Sequence, residues 1–354
     1  MQELRISKKL ILFSINNIIY LLMNELIKII NNNQHQLIKN YKDDINIPNK
    51  YSDTPLITAT NNGFHECVEQ LCEYGADINY KNENYVTPLI VASQKGQTKC
   101  AEILIRYGAN VNITTKWDET ALSWAVDSNN IDCVKLLCDH GANVNCQNIN
   151  SSTALITATQ KGYTECAEIL IKHKADINYI LSTSHTPLIM ASNYGFHKCV
   201  ELLCDHRVDV NYQNNNLVTA LTTASLNGYT KCAEILIRYG ANINIATKWN
   251  ETALSWAVNN GHVDCVKLLC ENGANVNTVN TYNISPLLIA CNLNNLKCVK
   301  ILCNHGANIF HKYDDDSLLS FVCKRKHYKI INFLSSFLEQ KYDNTLIKFA
   351  GKID

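Results

Sequence analysis

The sequence predicts a mainly α-helical solenoid, in which short units of two antiparallel helices stack one on the next, and two signals of the same period indicate this. A Thr/Ser-Pro/Ala-Leu tripeptide returns every 33 residues, eight times between Thr54 and Ser285. A cysteine keeps the same spacing from Cys67 to Cys298. A fixed period of this length means that each unit cannot bury its apolar face alone and must stack on its neighbours.

Each unit reads as helix, tight turn, helix and loop. The Thr or Ser suits a helix N-cap, and Pro fits the first helical position, where its missing N–H costs nothing. Apolar residues at helical spacing give each helix one buried face, as Leu56 and Ile57 do in the first helix and Val68 and Leu71 in the second. A glycine such as Gly75 then supplies the left-handed residue that ends the second helix.

These motifs resemble the ankyrin-repeat family from residue 23 to residue 340. The resemblance rests on the T-P-L start, the A-[AST] pair of the first helix, the G-[HFYQ] turn, the L-[LI/C] pair of the second helix and the G-A-[DN]-[IV]-N exit. It implies L-shaped units of two antiparallel helices with a projecting hairpin loop, stacked into a curved α-α superhelix.

The chain departs from the family pattern at two positions. The family's His after T-P-L is absent throughout, so the hydrogen bonds that this His makes between repeats are not expected here. The hairpin glycine two places before Thr is also replaced, so we expect hairpins that are less regular than in consensus repeats. The replacing residues are Ser52, Tyr85, Asp118, Ser151, Ser184, Leu217, Asn250 and Asn283.

The expected domain organisation is one array between two caps. Residues 1–22 form a leader, 23–48 an N-terminal capping repeat, 313–340 a C-terminal capping repeat and 341–354 a tail. Eight repeats lie between the caps, at 49–81, 82–114, 115–147, 148–180, 181–213, 214–246, 247–279 and 280–312.

The two ends carry signals of their own. The leader has basic residues followed by an apolar run, the outline of a signal peptide or an anchor. It falls short of the ~18–20 apolar residues that span a bilayer and is interrupted by polar residues, so no membrane span is expected, and Met23 is an alternative start. Near the other end, Asp314, Asp315 and Asp316 precede a last helix pair, where carboxylates favour a helix N-terminus.

Composition argues against several classes of function. Lys plus Arg equals Asp plus Glu at 32 each, so no net field attracts nucleic acid. No phosphate-binding loop, nucleophile elbow or H-E-x-x-H motif is present, and every Cys–His neighbourhood repeats with the period. We therefore expect a protein that is not an enzyme and takes no cofactor or metal.

The sixteen cysteines are expected to be small buried thiols. Equivalent positions on stacked helices lie roughly 8–10 Å apart, whereas a disulfide needs Cα atoms within about 6.8 Å. So many free thiols indicate a reducing, cytoplasmic compartment. That compartment would be the host cell's if the protein came from a virus or an intracellular pathogen.

The resemblance implies that partner proteins bind the hairpin tips and the adjoining face of the first helices. Four tips carry aromatic residues, which are typical binding anchors; these are Tyr51, Trp117, Trp249 and Tyr282. Charged residues flank the two tryptophans and are expected to form a rim; these are Lys116, Glu119, Lys248 and Glu251. In the alternative interpretation, the two tryptophans fold back onto neighbouring hairpins.

The two Trp-bearing tips lie 132 residues apart within longer copied segments, which predicts two equivalent sites. At ~10 Å for each helix layer they would stand about 40 Å apart.

Trp124 and Trp256, inside the first helices, are expected to be core. Lys174 and Arg207 replace the helix-ending glycine in consecutive repeats, so we predict that the array opens first near 170–210.

The predicted function is a monomeric protein-interaction scaffold or adaptor. A regulatory subunit or host-directed effector that recruits a modifying enzyme is the alternative. A third interpretation treats the repeats as a substrate, since the Asn that closes each unit matches the position that asparagine hydroxylases modify in this family. Those residues are Asn79, Asn112, Asn145, Asn178, Asn211, Asn244 and Asn277.

Overall fold

The computed structural model describes residues 24–313 and 316–341, and helices account for almost all of its regular structure. The predicted leader, Met23, Asp314 and Asp315, and the tail after Lys341 lie outside the described residues. The chain divides into two compact units, Met1–Ile177 and Asn178–Asp354. Within the described ranges, no helix has the length and apolar character needed to cross a membrane.

The first unit stacks four helix pairs behind an N-terminal cap. The cap consists of α1 (24–31) and a 3-10 helix (His35–Asp44), and the 3-10 helix packs on α3. The helix pairs are α2 (Pro55–Asn61) with α3 (His65–Glu73), α4 (Pro88–Lys95) with α5 (Thr98–Arg106), α6 (Ala121–Asp127) with α7 (Ile131–Asp139), and α8 (Ala154–Lys161) with α9 (Thr164–Lys172). Within the unit, each helix packs on its partner, and the equivalent helices of successive pairs pack on each other.

The second unit repeats this arrangement. Its pairs are α10 (Pro187–Asn193) with α11 (His197–Asp205), α12 (Ala220–Leu226) with α13 (Thr230–Arg238), α14 (Ala253–Asn259) with α15 (Val263–Glu271), and α16 (Pro286–Asn292) with α17 (Leu296–Asn304). A short antiparallel pair, β1 (Lys312–Tyr313) and β2 (Asp316–Ser317), leads into α18 (Leu318–Lys324) and α19 (Tyr328–Lys341). This last helix pair packs on α16 and α17 and closes the unit.

The first helices begin as the sequence predicts. The hydroxyl of Thr54 accepts the N–H of Ile57 at 3.4 Å, and Pro55 occupies the first helical turn. At Thr120 the arrangement is reciprocal, because the Thr120 N–H also donates to the Ser123 hydroxyl at 2.8 Å. These caps satisfy N–H groups that have no partner inside the helix.

The second helices end in left-handed residues. Gly75 has φ of 88°, a conformation that a residue without Cβ adopts at no steric cost. The equivalent Lys174 and Arg207 take the same conformation at φ of 68° and 60°. The predicted backbone strain is therefore present at both positions.

The hairpins correct one expectation, because they are regular. All eight residues that replace the hairpin glycine, from Ser52 to Asn283, have φ between 56° and 62°. In most hairpins a side-chain oxygen three residues earlier holds this geometry; Asn82, for example, accepts the N–H groups of Asn84 and Val86, both at 3.0 Å. Hydrogen bonds of this kind, which are those of an Asx turn, hold the left-handed turn in place without glycine.

Asparagine side chains link the repeats where the family's His is missing. In the first unit, Asn112 donates to the Gly141 carbonyl at 3.2 Å and accepts the Asn143 N–H at 2.8 Å. In the second unit, Asn244 makes the same two bonds to Gly273 and Asn275, at 3.3 and 2.8 Å. Both ends of the amide are therefore used to hold one repeat on the next.

The C-terminal cap has the expected helix start, with Asp316 directly before the N-cap residue Ser317. The Ser317 hydroxyl accepts the Ser320 N–H at 3.1 Å, and Leu318, Val322, Ile330 and Leu334 are buried. Asp316 lies in β2 and pairs with Lys324 at 2.7 Å, which lowers the pKa of its carboxyl.

Candidate protein-interaction surface

The four predicted aromatic tips all reach solvent, to different extents. Tyr51 and Tyr282 are 68% and 71% exposed, whereas Trp117 and Trp249 are 42% and 45% exposed. The tyrosines therefore project freely, and the tryptophans are about half covered. The ammonium of Lys50 lies 4.8 Å from the centre of the Tyr51 ring.

In the first unit, backbone hydrogen bonds fix the Trp117 hairpin on both sides. The Lys116 N–H donates to the Asn84 carbonyl at 3.2 Å, and the Trp117 carbonyl accepts the Ile149 N–H at 3.1 Å. The buried Thr115 hydroxyl also accepts the Trp117 N–H at 3.2 Å. The indole therefore projects from a backbone that is already ordered.

In the second unit, the Trp249 hairpin has the same two backbone bonds. The Lys248 N–H donates to the Asn216 carbonyl at 3.2 Å, and the Trp249 carbonyl accepts the Thr281 N–H at 3.0 Å. The buried Thr247 hydroxyl accepts the Glu251 N–H at 3.3 Å, as the Thr115 hydroxyl accepts the Glu119 N–H. Each unit thus carries one hairpin of this geometry.

The charged rim is less uniform than the sequence suggests. Lys116 and Lys248 are exposed, but Glu119 and Glu251 are half-buried. Burial, together with the nearby Asp127 carboxylate, raises the pKa of the Glu119 carboxyl. The Glu251 carboxylate accepts the Asn280 side-chain amide at 3.3 Å. Only the lysines are therefore fully available on the outer edge of each hairpin.

Two residues beside Trp117 also belong to this surface, although the sequence reading did not select them. Tyr85 is exposed, and the Lys116 ammonium lies 5.5 Å from the centre of its ring. Ile149 is exposed and hydrogen-bonded to Trp117 through the backbone. Neither residue occupies the tip position at which the aromatic residues were compared: Tyr85 lies one position after it and Ile149 one position before it. A large side chain next to the tip of a neighbouring hairpin was the signal in the sequence that could have identified them.

The prediction that Trp124 and Trp256 are core is wrong. Both side chains are half-buried, and both indole N–H groups are shielded from solvent with no acceptor among the described residues. They lie four positions after the capping Thr, in a row that we call the first-helix face. In the second unit this row continues through Ile289 to Phe321.

A groove lies on the first-helix face at the end of the second unit, and its volume is about 340 Å³. Its aliphatic residues are Ile284, Leu288 and Ile289, and its aromatic residues are Tyr313 and Phe321. Its polar and charged residues are Glu251, Asn259, Asn280, Asn292 and Arg325. The guanidinium carbon of Arg325 lies 4.9 Å from the centre of the Phe321 ring.

Most of the thiols are buried and therefore poor nucleophiles. Fourteen cysteines are buried, Cys146 is half-buried and Cys323 is exposed. Burial raises the pKa of Cys67 to about 11 and that of Cys100 to about 12, so both keep their protons at neutral pH. In the ranges 24–313 and 316–341, no three His, Cys, Asp or Glu side chains are grouped to hold a metal ion.

Comparison with known proteins agrees with the repeat architecture. A family model described as ankyrin repeats (3 copies) matches residues 23–115, 107–180, 178–247, 236–313 and 254–346. The chain is similar to the crystal structure of the human ASB11 ankyrin repeat domain, with a TM-score of 0.57 and 26% sequence identity, over 63% of this chain and 99% of that one. No curated protein matches the sequence.

Proposed function

Because the chain belongs to the ankyrin-repeat family, whose repeats are generally protein–protein interaction modules, we propose that it is a non-enzymatic scaffold or adaptor. It binds partner proteins through its hairpin tips and its first-helix face. The residues of the binding surface are Tyr51, Lys116, Trp117, Glu119, Lys248, Trp249, Glu251 and Tyr282, and both glutamates are half-buried.

One observation carries this proposal, the recurrence of the Trp hairpin in both units. Trp117 and Trp249 each present a half-exposed indole on a backbone held by the hairpins before and after it. A side chain on an ordered backbone loses little conformational entropy on binding, and Trp is enriched among residues that dominate interface energy. Exposed Lys116 and Lys248 favour a partner with acidic residues around an apolar pocket.

Two such hairpins support binding at two points. The protein engages either one long partner through both hairpins or two copies of one partner. Since the flanking residues differ, with Tyr85 beside one hairpin and Leu217 beside the other, the two affinities are expected to differ.

Affinity purification with the full chain, followed by mass spectrometry, identifies the partner, and single substitutions then test the surface. Trp117→Ala and Trp249→Ala should each weaken binding by about 2 kcal/mol, roughly thirtyfold. Tyr328→Ala, which removes an exposed aromatic residue far from the hairpins in sequence, is the control. Unchanged affinity in both Trp variants would refute the hairpin surface.

The stoichiometry of the complex separates the two binding modes, since a long partner gives one per chain and a short partner gives two. Light scattering of the protein alone should return the monomer mass. Recovery of a modifying enzyme together with its target would favour the alternative function, a regulatory subunit or host-directed effector.

A further inference from the structure

The groove at the end of the second unit differs from the rest of the first-helix face, because α18 closes it on one side. Ile284, Leu288 and Ile289 supply its aliphatic part, and Tyr313 and Phe321 supply aromatic rings. Its volume of about 340 Å³ lies at the lower end of the ~300–1,000 Å³ range of ligand pockets. This space suits one or two side chains of a larger partner.

Arg325 gives the groove an exposed cation. No carboxylate among the described residues lies within ion-pair distance of Arg325, whereas the neighbouring Lys324 is paired with Asp316 at 2.7 Å. The stacking of its guanidinium on Phe321 restricts the side chain. A guanidinium offers N–H donors in a planar fork that matches a carboxylate.

The other polar residues of the groove suit a peptide backbone. Asn259 and Asn292 are exposed side-chain amides, and an amide both donates and accepts hydrogen bonds. Glu251 lies in the same groove, with its carboxylate bound to Asn280. The Glu251 carboxylate would repel a nucleic-acid strand, because the strand would place several phosphates along the groove. A peptide with a single carboxylate near Arg325 avoids this repulsion.

We propose that this groove binds an extended peptide segment of a partner protein that carries an apolar side chain and a nearby Asp or Glu. The apolar side chain packs on Ile289 and Phe321. The carboxylate accepts paired hydrogen bonds from Arg325. The groove is part of the first-helix face, so this proposal rests on the proposed function; it shares Glu251 with the Trp249 hairpin, while Arg325 and Phe321 lie outside that hairpin.

Selection from a phage-displayed library of random nonapeptides on the full chain tests this proposal. The enriched peptides should share an apolar residue close to Asp or Glu. Synthetic copies in which Asp or Glu is replaced by Asn or Gln should bind roughly ten- to hundredfold more weakly in fluorescence anisotropy, as expected for the loss of a charge-assisted hydrogen-bonded pair.

Variants assign the preference to Arg325. Arg325→Ala should remove the difference between the acidic and amide peptides, and Arg325→Glu should select peptides with Lys or Arg instead. Lys329→Ala, which removes an exposed cation outside the groove, should leave the difference between acidic and amide peptides unchanged. Thermal melts of the variants establish that they are folded, as expected for an exposed residue.

Several outcomes would overturn the proposal. These are failure to enrich any common pattern, equal affinity for acidic and amide peptides, and an acidic preference that survives Arg325→Ala. Displacement of the selected peptides by a short single-stranded oligonucleotide at lower concentration than by the peptide itself would instead identify a nucleic-acid groove.

Discussion

Replacing Lys174 by glycine should stabilise the protein, although it removes an exposed lysine and its contacts. Lys174 has φ of 68°, and the left-handed conformation costs a residue with Cβ about 1–2 kcal/mol. Glycine relieves this strain but gives back about 0.5–1 kcal/mol through the greater freedom of the unfolded chain. The net gain is about 0.5–1 kcal/mol, since the backbone bonds of Lys174 to Ile171 and Asn145 do not involve its side chain.

The same substitution two residues earlier provides a matched control. Lys172 is also exposed, but it lies in the last turn of α9 with a helical backbone. Lys172→Gly should therefore destabilise by about 1 kcal/mol, the cost of glycine in a helix. Arg207→Gly should behave as Lys174→Gly, because Arg207 has φ of 60°.

Urea unfolding followed by circular dichroism measures these differences, and hydrogen exchange locates them. In the unaltered protein, amides of 170–210 should exchange fastest among the repeats, and Lys174→Gly with Arg207→Gly should slow them. The reasoning is refuted if Lys174→Gly destabilises as much as Lys172→Gly. Slowest exchange at 170–210 would refute the predicted site of first opening.

Four further predictions concern hydrogen bonds and thiols. Asn244→Ala should lower the free energy of unfolding in urea by about 1–3 kcal/mol, because it removes both side-chain bonds to the next repeat, while Asn244→Asp should cost less because it keeps the acceptor. Thr120→Ala should cost about 1 kcal/mol in the same assay through loss of the helix cap. With a thiol reagent at pH 8, Cys323 should react first and Cys146 more slowly. All sixteen cysteines should react after unfolding. Reaction of more than two cysteines in the folded protein would contradict the burial of the other fourteen. Because burial raises the pKa of Cys100 from 9.0 to about 12, the unfolded thiol loses its proton first, so stability should be complete below pH 9 and fall as the pH rises towards 12.

Most of the fold followed from the sequence because its signals are local. Thr54 caps α2 through a hydroxyl only three residues from its partner, and the left-handed φ of Gly75 depends on the residue itself. The period extended these local assignments to every repeat, since stacked units must bury the same positions. The family match and the observed helix pairs confirm the predicted fold class.

The two errors had different causes, one inside the hairpins and one on the first-helix face. Irregular hairpins were expected because glycine was absent, but Asn82 and its equivalents supply hydrogen bonds that hold the turn. Trp124 was expected in the core because its position was taken as apolar in every repeat, but Thr occupies it in several repeats and Trp124 itself is only half-buried. The binding residues stay a prediction until a partner is found.

The sequence by itself determined the repeat length, the helix boundaries, the capping residues and the buried cysteine row, because each depends on contacts within one unit or on a strict period. Only the tertiary structure placed Lys116 beside Tyr85, bound Trp117 to Ile149 through the backbone, left Glu119 and Glu251 half-buried and put Arg325 at the edge of an apolar groove. These contacts join residues from successive repeats. They depend on how one unit packs on the next, which residue spacing along the chain does not specify.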